Sequence, residues 1–220
     1  MRTGPRVPPH PTARTLPLGT DARLCDVTLP ITPLRIIAIG GSTTPMAASE
    51  RALRIAAEAA TEAGAEVTFI TGRSLMLPIY DTESTERTPA TQELVDALRA
   101  ADGVLIASPG YHGSISGMLK NALDYAEDLR HDERPYLEHR AVGLIAVAHG
   151  WQTAVGTLNQ LRQVVHALRG WPAPLGVAIN DSAGLIGADT ATTDAAIVRQ
   201  LHTVGEQVLS FAAAQRASRA

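Results

Sequence analysis

Two glycine- and hydroxyl-rich stretches carry the residue types best suited to chemistry. Gly40-Gly41-Ser42-Thr43-Thr44, with Ser49 just beyond, collects four hydroxyls around two glycines. Backbone N–H groups at a helix start, helped by the hydroxyls of Ser42, Thr43, Thr44 and Ser49, can satisfy a phosphate without any cationic side chain. The second stretch runs Ser108-Pro109-Gly110-Tyr111-His112-Gly113-Ser114-Ile115-Ser116-Gly117. Its glycines let main chain approach a flat heterocycle closely enough to hydrogen-bond the ring edge. Tyr111 and His112 bring flat side chains with polar tips to the same place. A third turn, His149-Gly150-Trp151, follows another apolar run.

Several other chemistries lack their residues. The first turn has no Gly-x-Gly-x-x-Gly, and the next apolar run ends in Thr71-Gly72-Arg73 without an acidic ribose anchor, which argues against a dinucleotide site. There is no Gly-Lys-Ser/Thr for a nucleoside triphosphate and no Gly-x-Ser-x-Gly nucleophile elbow. The seven histidines show no metal-ligand spacing, so no metal site is expected.

The elements that must position these turns follow from hydrophobic period. Leu34–Ile39, Glu66–Thr71, Val104–Ala107, Ala141–Ala148 and Leu175–Asn180 read as buried strands. Leu53, Ala56, Ala57 and Ala60 repeat at helical spacing, with Arg51, Arg54, Glu58 and Glu62 placed on the wet side. Thr88-Pro89 is a helix start, with Thr as cap and Pro at the first helical position. Further helices are marked by Leu119, Ala122, Leu123 and Ala126, by Leu158, Leu161, Val165 and Leu168, and by Ile197, Leu201, Val204 and Val208. The stretch from Leu129 to Arg140 reads as a polar loop. Five strands alternating with five helices predict an α/β doubly wound parallel sheet in three layers, with order 2-1-3-4-5 as the flavodoxin-like option. In such sheets ligands bind beyond the carboxyl ends of the strands, where all three turns fall.

Composition narrows the setting. The chain has 220 residues, 45% of them hydrophobic and only 4% aromatic, so one aliphatic core suffices. A net charge of −3 offers no basic surface for nucleic acid, and no apolar run reaches the roughly 18–20 residues of a membrane span. A single cysteine, Cys25, fits a reducing cytoplasm. Lys120 is the only lysine, which we attribute to codon usage. Residues 1–33 hold seven prolines and no sustained period, and read as a flexible Pro/Arg-rich N-terminal tail before a domain spanning 34–220.

Three motifs together carry a family resemblance. Gly-Ser-Thr-Thr-Pro-Met-Ala-Ala-Ser, Leu-Pro-Ile-Tyr-Asp, and Ser-Pro-Gly-Tyr-His-Gly-Ser-Ile-Ser-Gly-Met-Leu-Lys-Asn-Ala-Leu-Asp-Tyr resemble the NADPH-dependent FMN reductase family. The resemblance implies a flavodoxin-like fold, FMN and NAD(P)H as cofactors, and a homodimer or homotetramer. It also implies hydride transfer from the nicotinamide to FMN. The reduced flavin would then serve a quinone-like acceptor or a partner flavin-dependent monooxygenase. By position, Ser42, Thr44 and Ser49 would hold the FMN phosphate; Pro109, Gly110, Tyr111, His112 and Gly113 would line the ring; and Gly150 would approach its pyrimidine end. Trp151 would cover the flavin or the nicotinamide, or else meet another subunit. No side chain is required as a catalytic acid or base. This sequence departs from the family's frequent arginine at Thr44, glutamate at Gly110, asparagine at His112 and glycine at Trp151. The alternative within the same fold is a flavodoxin-type electron carrier with no turnover of its own.

Overall fold

The structure is a computed structural model that describes residues 32–219. The N-terminal tail, apart from Thr32 and Pro33, therefore lies outside the described residues. The elements follow as β1 (Arg35–Gly40), α1 (Ala48–Glu62), β2 (Glu66–Thr71), α2 (Pro89–Ala100), β3 (Gly103–Pro109), α3 (Gly117–Asp124), β4 (Ala141–Ala148), α4 (Trp151–Ala167), β5 (Trp171–Pro172), β6 (Val177–Asn180) and α5 (Ala195–Ala217).

All strand pairings are parallel, in the order β2-β1-β3-β4-β5 expected from the pattern. The expected fifth strand is split, so the sheet counts six strands. β5 pairs with Ala141 and Val142, and β6 pairs with Ile145 to Ala148, so both pieces lie along one edge of β4. Pro172 and Pro174 explain the break, because proline cannot donate to a ladder and is confined to edges and interruptions. Leu175, assigned to that strand by pattern, instead donates its N–H to Gln207 Oε1 at 3.0 Å.

Period-two alternation splits the core into two layers. Ile36 and Ala38 of β1 face α1 and α5, packing with Leu53, Ala56, Val204 and Val208. Ile37 and Ile39 face α2, α3 and α4, packing with Leu94, Leu98, Leu119 and Leu161. Thr88 caps α2 as the sequence suggested, accepting the Thr91 N–H at 3.3 Å with Pro89 at the helix start.

The segment between α3 and β4 corrects the reading of a polar loop. Tyr125–Leu129 forms a 3-10 turn, Leu129 and Leu137 are fully buried, and so is Arg140. The Arg140 guanidinium meets no carboxylate; it donates to the carbonyls of Ala101, Tyr136, Glu138 and Arg99 at 3.0–3.3 Å. Burial holds it below the usual arginine range. Arg134 donates to two of the same carbonyls, those of Arg99 and Ala101.

Candidate functional site

The strand order reverses direction at β1, whose neighbours are β2 on one side and β3 on the other. That switch point places the first two turns side by side. Gly40 is in register with Ala107, and the Gly41 N–H donates to Ala107 O at 2.9 Å. The third turn, Gly150-Trp151, follows β4 on the next strand over.

The first turn delivers open hydrogen-bond donors to the start of α1. Ala47 is the N-cap and supplies no capping side chain. Arg51 is the first residue in α1 whose N–H finds a backbone acceptor, Ala47 O at 2.9 Å, so the N–H groups of Ala48, Ser49 and Glu50 have none. Ser42 is buried, and its Oγ accepts the Thr44 N–H at 3.2 Å, shaping the turn. Thr43 and Thr44 are exposed. The Oγ of Ser49 is buried with no hydrogen-bond partner among the described residues. Orphaned buried donors cost free energy unless something binds them, so this turn fits an anion.

Arg51, which the helical period puts on the wet face of α1, proves to be part of this turn, and so does its neighbour Glu50. Arg51 reaches back to Met46 O at 2.6 Å and across to Ile186 O, after β6, at 2.9 Å. Its Nε is buried and unpartnered. The turn thus has a guanidinium even though Thr44 stands where an arginine is frequent. Glu50, also buried, accepts from Arg54 at 2.8 Å, Thr71 Oγ1 at 3.1 Å and the Met46 N–H at 3.1 Å. Burial pushes its carboxyl up, and those hydrogen bonds more than offset it, leaving it ionised below the usual carboxylate range. Arg54 also lies over the Phe69 ring at 4.7 Å. The i, i+4 spacing of Glu50 and Arg54 was the available signal; for Arg51 no local one existed.

The second turn is preformed. Tyr111 and Ser114 exchange backbone hydrogen bonds at 2.9 and 3.0 Å, closing a two-residue turn over His112 (φ 50°) and Gly113 (φ 85°). Both central residues with positive φ define a type I′ turn. His and Asn are among the few residues that tolerate that backbone, so the departure from asparagine at His112 keeps the conformation. Helix α4 clamps the turn from the side: Gln160 donates to Gly113 O at 2.9 Å and accepts from Ser114 Oγ at 2.6 Å. Ser108 Oγ accepts the Ser116 N–H at 3.1 Å, and Ser116 caps α3 through the Leu119 N–H. Gln160 lies 46 residues from Ser114, so the pattern of the turn gave no hint of it.

Gly110 has no room for a side chain. A Cβ there would sit 2.7 Å from Thr153 Cγ2, 2.9 Å from Thr157 Oγ1 and 3.0 Å from Ala148 Cβ. The departure from glutamate at this position is therefore matched by the closeness of α4. Gly110→Ala is expected to cost about 1–3 kcal/mol through overpacking, read as a lowered denaturant midpoint at unchanged slope. An unaltered midpoint would refute the tight contact.

Pro109 is half-buried, whereas Tyr111, His112, Gly113 and Trp151 are exposed. Tyr111 is 48% and Trp151 62% exposed, large values for aromatic rings, and each follows the carboxyl end of its strand. Gly150 is the N-cap of α4 and again supplies no capping side chain; the first α4 N–H with a backbone acceptor is that of Ala154. The Leu77–Asp81 stretch is held by Asn121, which accepts the Tyr80 N–H at 2.8 Å and donates to Pro78 O at 2.8 Å. Tyr125 OH donates to Pro78 O as well, and Arg87 lies over both Tyr80 and Tyr125 while paired with Asp128. Asn121 is therefore a loop-positioning residue, and Lys120 forms an exposed pair with Asp124 at 2.6 Å. Among the described residues no cluster of metal-ligating side chains occurs, and no helix is long and apolar enough to cross a membrane.

The fold is flavodoxin-like α/β, with a donor-rich turn and a preformed type I′ turn side by side at its switch point. A family model for NADPH-dependent FMN reductase matches residues 34–184, and the chain belongs to that family. It is 37% identical over 86 residues to an NADPH azoreductase of Bacillus sp. (strain OY1-2), covering 39% of this chain. It is 37% identical over 91 residues to an FMN-dependent NADPH-azoreductase of Staphylococcus aureus, covering 41% of this chain. The matched part spans 45% of the length of each relative. Among solved structures, the flavoenzyme NAD(P)H:(acceptor) oxidoreductase FerB of Paracoccus denitrificans shares the fold. Its TM-score is 0.67 at 19% identity, over 81% of this chain and 97% of that one.

Proposed function

We propose that this protein is an FMN-dependent NAD(P)H oxidoreductase. The observation that carries the reading is the pairing, on adjacent strands, of an α1 start rich in unpartnered donors with a preformed, aromatic-rimmed turn. Ser42, Ser49 and the open N–H groups of α1 would hold the phosphate, with the exposed Thr44 hydroxyl beside them. Pro109 to Gly113 would border the ring, and Gly150 would present the α4 N-terminus to it. Bound FMN would supply hydride acceptance from NAD(P)H and delivery to an acceptor. The chain's own residues would orient and shield: Gln160 fixes the turn, Glu50 braces the phosphate side, and Tyr111 and Trp151 form the mouth.

If nicotinamide and acceptor use one exposed face of the flavin in turn, the kinetics are ping-pong. The acceptor would be a quinone-like or azo compound, or free flavin destined for a partner monooxygenase. Assembly as a homodimer or homotetramer would cover the exposed Trp151 and Val155 beside the mouth. The test is to mix purified full-length chain with FMN, NADPH and a quinone. We expect FMN-dependent NADPH consumption with parallel initial-rate lines. Flavin binding without NADPH consumption would instead make the protein an electron carrier of the flavodoxin type.

A further inference from the structure

Two concavities among the described residues lie away from the candidate site, flanking the exposed ridge Glu206-Ser210-Ala214 of α5. One, of about 600 Å³, is lined by Trp171, Pro172, Pro174, Phe211 and the ridge, beside Ala141 at the amino end of β4. Trp171 is 58% exposed, and its ring meets that of Phe211 at 5.7 Å with a 37° tilt. The proposed oxidoreductase chemistry makes no use of this cleft.

Its lining limits what can occupy it. An added β-strand needs N–H donors along the sheet edge, and Pro172 and Pro174 remove two of them. A polyproline II helix needs no ladder and docks on aromatic-lined grooves through its ring faces. This chain contains such a segment. Pro5-Arg6-Val7-Pro8-Pro9-His10-Pro11 holds two overlapping Pro-x-x-Pro repeats, and each proline restricts the residue before it to extended backbone. Arg6 in the segment complements Glu206, which is exposed on the rim of the cleft.

The path of the chain agrees. Arg216, near the end of α5, donates to Thr32 O at 2.7 Å and Pro33 O at 3.0 Å, so the chain reaches residue 32 beside that helix end. Phe211 is five residues back along α5, about 7–8 Å at the helical rise. Twenty residues, 12–31, separate Pro11 from Thr32. A linker of that length has a typical end-to-end distance of about 25 Å, ample for the span.

We infer that residues Pro5–Pro11 dock as a polyproline II segment in the Trp171–Phe211 cleft of their own chain. The test uses the full-length chain with Trp151→Phe, which leaves Trp171 as the only tryptophan. Acrylamide quenching of Trp171 is compared with and without Pro8→Ser, Pro9→Ser and Pro11→Ser, substitutions outside every helix and strand of the described fold. We expect the quenching constant to rise about twofold when the prolines are lost. Trypsin cleavage after Arg6, relative to cleavage after Arg23, should also speed up in the Trp171→Ala variant, whose lost side chain is surface-exposed. Unchanged quenching would overturn the inference. A difference that grows with protein concentration would give the cleft to a second copy and overturn docking within one chain.

Discussion

Arg51→Met is expected to weaken FMN binding roughly 10- to 100-fold while leaving riboflavin affinity unchanged. The magnitude follows from a hydrogen bond to a charged group, worth about 1.5–3 kcal/mol, converted at 1.4 kcal/mol per factor of ten. The expectation rests on position. The guanidinium already contacts the Met46 carbonyl inside the first turn, and its Nε has no partner among the described residues. Riboflavin lacks the phosphate, so it separates two roles for the side chain. A brace that only ties Met46 to Ile186 would, when lost, loosen the turn for both ligands. Equal losses for FMN and riboflavin would therefore reduce Arg51 to a strut. Arg51→Lys should fall between, because an ammonium keeps the charge and loses the fork that spans two carbonyls.

Arg140→Met should be the most damaging single change outside the cleft, at about 3–5 kcal/mol. Methionine keeps the apolar stem to about the position of Nε, so the loss is that of the guanidinium: its hydrogen bonds and the space it fills. Arg134 still covers the carbonyls of Arg99 and Ala101, but those of Tyr136 and Glu138, in a half-buried segment, lose the guanidinium. Each buried acceptor left without a partner costs about 1–3 kcal/mol, and for a chain of this size that total lowers Tm by about 10 °C. Thermal and denaturant unfolding of the variant read it directly. The comparison is Arg99→Ala, which removes exposed pairs with Asp96 and Asp132 and should stay within about 1 kcal/mol of the parent. If the two variants unfold alike, the buried carbonyls are satisfied by something else.

These two arginines mark where sequence reasoning stopped. Strand runs, helical spacing and turn residues were enough to place the five helices and the doubly wound class, because one-sided burial imposes a period on a helix and two-sided burial an apolar run on a strand. The strand order entered only as the flavodoxin-like option. The turns at Ser42 and at Gly110–Gly113 were legible because glycines cluster where the main chain must bend tightly. Arg51 was not, since helical period alone puts it opposite Leu53. Only the return of the chain past Ile186 covers that face. Arg140 sat in a polar stretch whose partners come from the end of α2, about forty residues away. The split edge strand was hidden because Pro172 reads as a stop, although an edge accepts proline. Long-range closure is invisible to a local pattern.

Lys120 forms its pair with Asp124 three residues into α3, just beyond the turn that closes at Ser114. It is 47% exposed in the side chain and is the sole lysine of the chain. Once the terminal amine, which reacts first near neutral pH, has been blocked, an acylating reagent at higher pH would therefore modify one defined side chain. A dye attached there would ride about 4–5 Å along the helix from Gly117, close enough for its emission to follow the filling of the cleft. A usage bias that looks like background in the sequence thus leaves the folded protein with a built-in single-site handle at the edge of its own cleft.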